Sequence, residues 1–299
     1  MSRFNANHLT VSKAISIYLE DAPNWLREST LVDYRRHLIW FIETYGDRYL
    51  VSIQKSEIIL FIESFRRKGI HTTSNRVLST IQSFFKYCVQ KAWCQSSPSS
   101  LIKRVRETPK QRVLSTDEHT VFVYALHSHN CDWRVKACIR WIYQTCARLG
   151  EAVSLQWEEI DLEQRRWIIP AERSKNKRAH LVPLPDNLVE MLESIKPRQY
   201  KACRYVFSNG SKEQVINKHS VGQAIERIVR KTEGIEHFSP QDLRRTSATM
   251  LNSAGYNSKF IAKLLNHSPQ TVTERVYALY DYEQEKREAL ESLHQYQKL

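Results

Sequence analysis

Apolar residues recur at helical spacing over most of this chain, interrupted once by a short region of strand character. Val11, Ala14, Ile15, Tyr18 and Leu19 recur at intervals of three and four and predict a helix over about 10–19. Leu31, Tyr34, Leu38, Phe41 and Ile42 predict a second over about 30–44, and a third near 56–68 stops at Gly69. The clearest stripe is Val77, Leu78, Ile81, Phe84, Phe85, Cys88 and Val89, which predicts a helix over about 73–92 with Arg76, Lys86 and Lys91 on its polar positions. The pattern breaks at about 95–112, QSSPSSLIKRVRETPKQR, where serine, proline and alternating basic residues read as a linker.

Helical spacing resumes after Ser115-Thr116-Asp117-Glu118, a capping box ahead of Val121, Phe122, Tyr124 and Ala125. Asp132 can cap a helix through about Thr145. Trp167-Ile168-Ile169 and Leu181-Val182 are β-prone runs on either side of the polar stretch AERSKNKRAH, the pattern of a hairpin. Helices are expected again near 186–195, 220–232, 240–254, 258–266 and 284–298. On the last of these, Ala289, Leu290, Leu293 and Tyr296 share one narrow face. That face suits either packing on its own domain or docking on a neighbouring copy. No repeat period is present, which excludes a solenoid. With 299 residues and 41% hydrophobic content, the chain can build packed cores for one or two domains.

Charge adds a polyanion to this picture. The chain has 45 basic and 32 acidic residues, a net +13. Up to Arg112 there are 18 basic against 9 acidic residues, and beyond it 27 against 23. The excess is therefore concentrated in the first helical region, as expected of a part that grips nucleic acid. No apolar run approaches the roughly 20 residues of a membrane span, and MSRFNANHLT lacks a signal-peptide core, so a cytoplasmic, DNA-associated protein is expected. Six cysteines form no CxxC pair, and His127-x-His129-x-Cys131 lacks a second ligand pair, so free thiols are expected rather than zinc. Neither GxxxxGKS nor GxGxxG occurs, which argues against a nucleotide-driven motor or a dinucleotide enzyme.

The candidate chemistry lies in ARLGEAVSLQW, RSKNKRAHLVPL, SPQDLRRTSATML and LLNHSPQTVTERVYALY. These supply Arg148, Lys175, Gln241, Arg244, His267 and Tyr277. Two arginines to neutralise a phosphate, a lysine to protonate a leaving oxygen and a tyrosine to attack phosphorus suffice for metal-free phosphodiester chemistry. Ser239-Pro240-Gln241-Asp242 reads as a helix start, with Gln241 and Arg244 three apart on its opening turn. The free N–H groups and positive end of such a helix would offer an anion site. Taken singly, each segment has an ordinary reading. Arg148 can simply pair with Glu151, Lys177 or Arg178 can stand in for Lys175, and Tyr280 or Tyr282 lies near Tyr277.

In order and spacing these segments resemble the tyrosine recombinase (phage integrase) family over nearly the whole chain. TCARLGE is similar to the family's TGxRxSE-like stretch, with Cys146 in place of the glycine, and the TERVY context marks Tyr277 as the nucleophile. Gln241 stands where the family most often has histidine. Glutamine can donate a hydrogen bond to phosphate but cannot exchange a proton near neutral pH, so a donor role is expected there. The resemblance implies a mainly α two-domain DNA clamp with a small β-hairpin or sheet in the catalytic domain. Its parts would be a helical core-binding domain over 1–105, a basic linker over 106–113 and a catalytic domain over 114–299 that ends in the tail helix. It implies a site-specific recombinase working through a 3′-phosphotyrosyl intermediate, with a hairpin lysine protonating the 5′ oxygen and neither ATP nor metal required. Four protomers would act on two synapsed double-stranded DNA sites, leaving room for accessory DNA-bending or directionality proteins. The hairpin and C-terminal segments look more like integrases of phages and genomic islands than chromosome-dimer resolvases. About nine residues precede the first helix, too few for an additional arm-binding domain. A type IB topoisomerase would share the chemistry, and a non-catalytic DNA-binding accessory protein would share the fold alone.

Overall fold

The computed structural model describes residues 8–108, 111–196, 203–211, 213–267 and 282–297. The chain divides into two compact units, Met1–Pro109 and Lys110–Leu299, each with its own apolar core.

The first unit contains α1 (Val11–Asp21), α2 (Glu28–Tyr45), α3 (Lys55–Arg67) and α4 (His71–Gln90), each starting and ending within two residues of where the apolar spacing predicts. Thr10 caps α1 by accepting from the Lys13 N–H at 3.3 Å, and a Gln54–Glu57 capping box opens α3. The four helices bury Tyr18, Phe41, Phe61, Phe84 and Phe85. Phe41 meets Phe61 and Phe85 edge-on at centroid distances of 5.3 and 6.2 Å, an arrangement that adds about 0.5–1.5 kcal/mol per pair beyond area burial. Arg76 and Lys86 are exposed on the polar face of α4, whereas Lys91 pairs with Asp21 at 3.1 Å.

Residues 102–108 have no regular structure, yet they are held to their own unit. Asn75, buried on α4, donates to the Val105 carbonyl at 2.8 Å and accepts from the Val105 N–H at 3.0 Å. Arg66 donates to the Lys103 carbonyl at 2.7 Å. Composition marks this stretch as linker, but it does not disclose that one buried amide fixes its first half.

The second unit comprises α5 (Thr116–Ser128), α6 (Trp133–Thr145), α7 (Leu149–Val153), β1 (Ile160–Asp161), β2 (Arg166–Ile169), β3 (His180–Pro183), α8 (Asp186–Ile195), α9 (Lys218–Lys231), α10 (Pro240–Ser253), α11 (Ser258–Leu264) and α12 (Glu283–Gln297). The protein is thus mainly helical, with a small antiparallel sheet ordered β1-β2-β3. Trp167 pairs with Val182 on one side and Ile160 on the other. The sequence pattern predicts β2 and β3 but not β1, because two residues are too short to display alternation. Helix α6 is central: Cys138, Ile139, Trp141, Ile142 and Tyr143 are wholly buried, and Trp141 meets Trp167 at 5.4 Å between centroids.

The tail helix α12 packs on its own domain, against β3, α6 and α10. Ala289, Leu290 and Leu293 are buried, and Gln297 donates to the Tyr143 carbonyl and the Ser247 hydroxyl, both at 3.0 Å. Tyr296, expected on the same face, is instead 56% exposed.

Between sheet and tail lies a histidine that must stay neutral. His180 on β3 is buried, and its Nε2 lies 3.1 Å from the Leu264 carbonyl, so the proton resides on Nε2. Burial, then the nearby Lys286 ammonium, pushes its pKa down to about 3. A depressed folded pKa means stability that is complete above the unfolded value near 6.5 and is lost as pH falls toward 3. Between pH 7 and pH 5 this one group should cost about 2 kcal/mol. Urea unfolding of the whole chain should therefore show the second unit weakening over that range, and His180→Gln should flatten the dependence by about that amount. An equally steep loss in the variant would assign the effect to other groups.

Candidate active site

Two helix ends and one buried cation organise this site. Helix α6 ends at Cys146, whose φ of +56° puts a residue with a Cβ in the left-handed region that favours glycine. The turn brings the Cys146 carbonyl to the Arg244 guanidinium, 2.5 Å away. Helix α11 ends in a Schellman motif. The Asn266 N–H returns to the Lys263 carbonyl and the His267 N–H to the Ala262 carbonyl, both at 2.9 Å, with Asn266 left-handed at φ +48°. This turn leaves the Leu265 carbonyl to accept from Arg244 and the Asn266 carbonyl to accept from Arg148 at 3.0 Å.

Arg244 is only 3% exposed. Burial, then the neighbouring Arg148 charge, lowers its pKa to about 10, which still leaves it a full cation at neutral pH. Arg148 is the N-cap residue of α7. The Glu151 carboxylate accepts from its backbone N–H at 3.0 Å and from its guanidinium at 2.8 Å, so the ordinary i,i+3 pairing and the site geometry coexist. The two arginines thus bond to consecutive carbonyls. His267 follows directly, and its pKa is held below the usual imidazole value by desolvation and by Arg244 and Arg148.

Lys175 is exposed at the middle of the ten-residue connection between β2 and β3, and its neighbours are anchored. Arg173 pairs with Glu159 and donates to the Ser154 hydroxyl at 2.8 Å. Asn176 donates to the Asn266 side-chain oxygen at 2.6 Å, Asn266 donates to the Ser174 hydroxyl at 3.0 Å, and Ser174 donates to Asn176 at 2.6 Å. Lys177, the competing lysine, is exposed beyond this ring with φ +56°.

Gln241 is exposed on the first turn of α10, while Arg244 one turn on is buried. The open anion site expected at that helix end is narrowed by local bonds. Pro240 has no N–H, and those of Asp242 and Leu243 turn back to the Ser239 carbonyl. The Asp242 carboxylate accepts from the Ser239 N–H at 2.9 Å and its hydroxyl at 2.6 Å. Of the opening N–H groups, that of Gln241 makes no such return bond, so the helix end adds a single donor beside the arginines. Tyr277 and Tyr280 lie outside the described residues. Tyr282 packs against Phe260, with the Lys263 ammonium 4.0 Å from its ring centroid.

Arg148, Arg244, His267 and the loop carrying Lys175 therefore converge, with Gln241 at the head of α10. Ser174, Asn176 and Asn266, which no sequence motif singles out, also join this cluster. One signal was available for Asn266: asparagine directly after a helix is a common left-handed C-terminal residue.

The phage integrase family model matches residues 112–284, and that for the phage integrase N-terminal SAM-like domain matches residues 18–92. The prophage integrase IntA of Escherichia coli (strain K12) is 25% identical over 246 residues, covering 81% of this chain and 58% of that protein. This chain accordingly spans less than two thirds of that relative. A tyrosine recombinase of Thermosipho africanus (strain TCF52B) is 26% identical over 273 residues, covering 89% of this chain and 93% of its own. The lambda integrase in a tetramer bound to a Holliday junction superposes with a TM-score of 0.70 at 18% identity, covering 90% of this chain and 77% of that one, a likeness of fold. Matches to both family models, together spanning most of the sequence, establish that this chain belongs to the phage integrase family of tyrosine recombinases.

Proposed function

We propose that this chain is a site-specific DNA recombinase that cleaves and rejoins duplex DNA through a 3′-phosphotyrosyl bond, in the integration and excision of a phage or other mobile element. The observation that supports it best is the pair of guanidinium groups of Arg148 and Arg244, tied to the carbonyls of residues 266 and 265 and followed at once by His267. Attack on a phosphodiester spreads negative charge over the non-bridging oxygens, and fixed cations in a water-poor setting stabilise that charge without reorganising.

In this reading the Tyr277 phenol oxygen bonds to phosphorus as the bond from phosphorus to the 5′ oxygen breaks. Lys175 gives that oxygen its proton, and Gln241 donates a hydrogen bond to a phosphate oxygen. Of the six residues, neutral His267 is the one able to take the phenolic proton at pH 7, and the two arginine charges favour that neutral form. The protein–DNA bond conserves the energy of the phosphodiester, so a 5′ hydroxyl from the second duplex can reverse the step. Residues 1–105 act as the core-binding domain, 106–113 as the basic linker and 114–299 as the catalytic domain. The tetrameric junction complex of lambda integrase motivates four protomers on two duplexes here.

Three experiments test this. On a nicked suicide substrate, Tyr277→Phe should bind the site but form no covalent product. Retained attachment in that variant, with loss in Tyr280→Phe, would move the nucleophile. Arg148→Ala should slow cleavage by about 10²–10³ while changing affinity little. Arg244→Ala should add a loss of thermal stability, because two buried carbonyls lose their donor at about 1–3 kcal/mol each. Equal losses in binding and cleavage for Arg148→Ala would demote it to an ordinary backbone contact. Lys175→Ala should be inactive on a phosphodiester but restored on a substrate with sulfur at the 5′-bridging position, whose leaving thiolate needs no proton. Restoration of Lys177→Ala instead would shift the acid by two residues.

A further inference from the structure

We infer that Asn266 is the positioning residue for the Lys175 general acid, through a closed ring of three side chains that grips the residues on either side of that lysine. This rests on the proposed role of Lys175 and adds the element that makes its geometry reproducible. Lys175 itself is exposed, on a long connection between strands where a four-carbon side chain would otherwise range widely. Its neighbours do not share that freedom. Ser174 is completely buried, and its hydroxyl donates to Asn176 at 2.6 Å while accepting from Asn266 at 3.0 Å. Asn176 donates back to the Asn266 side-chain oxygen at 2.6 Å, closing the ring.

Asn266 is suited to this task in three ways. Its backbone is fixed by the Schellman turn at the end of α11, so its amide projects from a rigid base. Its carbonyl accepts from Arg148, and the carbonyl before it accepts from Arg244. One residue thereby carries the loop of the acid and the phosphate-binding cations on a common support. A general acid has to meet its leaving oxygen within hydrogen-bond reach, and a displacement of about 1 Å can cost on the order of 10² in rate.

Asn266→Gly separates the amide from the turn. Glycine adopts φ +48° readily, so the Schellman motif and the carbonyl to Arg148 are retained while the ring is opened. The full chain carrying this change should fold and keep its DNA affinity, with a melting temperature a few degrees lower, but cleave a phosphodiester substrate about 10–100-fold more slowly. On the 5′-bridging sulfur substrate it should approach the unmodified protein. Asn176→Ala opens the same ring from the loop side and should behave alike. The double variant with Lys175→Ala should be no slower than Lys175→Ala alone, as expected of residues acting in one unit. Undiminished cleavage by Asn266→Gly overturns the inference. Equal slowing on both substrates also overturns it, since the amide would then act on the arginines. Failure of Lys175→Ala itself to be restored by sulfur is a different result: it removes the role assigned to the lysine, and this inference with it.

Discussion

Burial of the Arg244 cation is the constraint around which the catalytic unit is arranged. A guanidinium with 3% exposure is tolerable only if acceptors replace the water it has lost. The acceptors are the Cys146 and Leu265 carbonyls, and both belong to helix C-termini. Those ends carry unsatisfied carbonyls and the negative pole of the helix dipole, so α6 and α11 solve their own termination problem by ending on the arginine. In each case the chain leaves the helix through a left-handed residue, Cys146 or Asn266. The strain at Cys146 is local and small beside the cost of a buried cation without acceptors, about 3–5 kcal/mol when a buried charge loses its partner.

The consequence is that the two arginines and the backbone of His267 are set in place by the fold itself. Arg148 reaches the carbonyl next to the one that binds Arg244, and Glu151 fixes it from the other side. His267 is placed by the same turn that supplies both carbonyls. A point of two cations and one neutral imidazole therefore follows from helix packing, which is why the central helix α6 is so heavily buried.

Much of this architecture was legible in the sequence, for identifiable reasons. The helices of the first unit follow from apolar spacing, because four amphipathic helices around one core leave little choice of buried face. The Ser115 and Ser239 helix starts follow from local capping chemistry. The arginines, His267 and the lysine loop were legible only as a set, since each segment alone has an ordinary reading. The Ser174–Asn176–Asn266 ring was not legible: two small polar residues and a third 90 positions beyond Asn176 carry no periodic signal, and only the fold brings them together. The same holds for Asn75, a polar residue just ahead of the apolar stripe of α4, whose partner at Val105 lies 30 residues on. The helix-end anion site expected at α10 is narrower than the sequence suggests, because Pro240 lacks an N–H and that of Asp242 turns back to Ser239.

A division of labour separates the candidate residues by burial. The arginine that only has to be positive is sunk into the protein, where its charge is permanent even with its pKa lowered to about 10. Lys175, Gln241 and His267, to which the proposed mechanism assigns proton transfer and contact with DNA, stand at the exposed side of that support. Burying the lysine as deeply would depress its pKa and risk discharging it before substrate binds. Leaving it free would spread its amine over many rotamers and make proton delivery a rare event. Anchoring Ser174 and Asn176 while exposing Lys175 satisfies both demands. On either side of Lys175 the chain is held by neutral amides and a hydroxyl, so its backbone keeps one position. The side chains that hold Ser174 and Asn176 are uncharged, with the Arg173–Glu159 pair anchoring the loop one residue further out, whereas the groups that hold the arginines include a carboxylate and two helix ends.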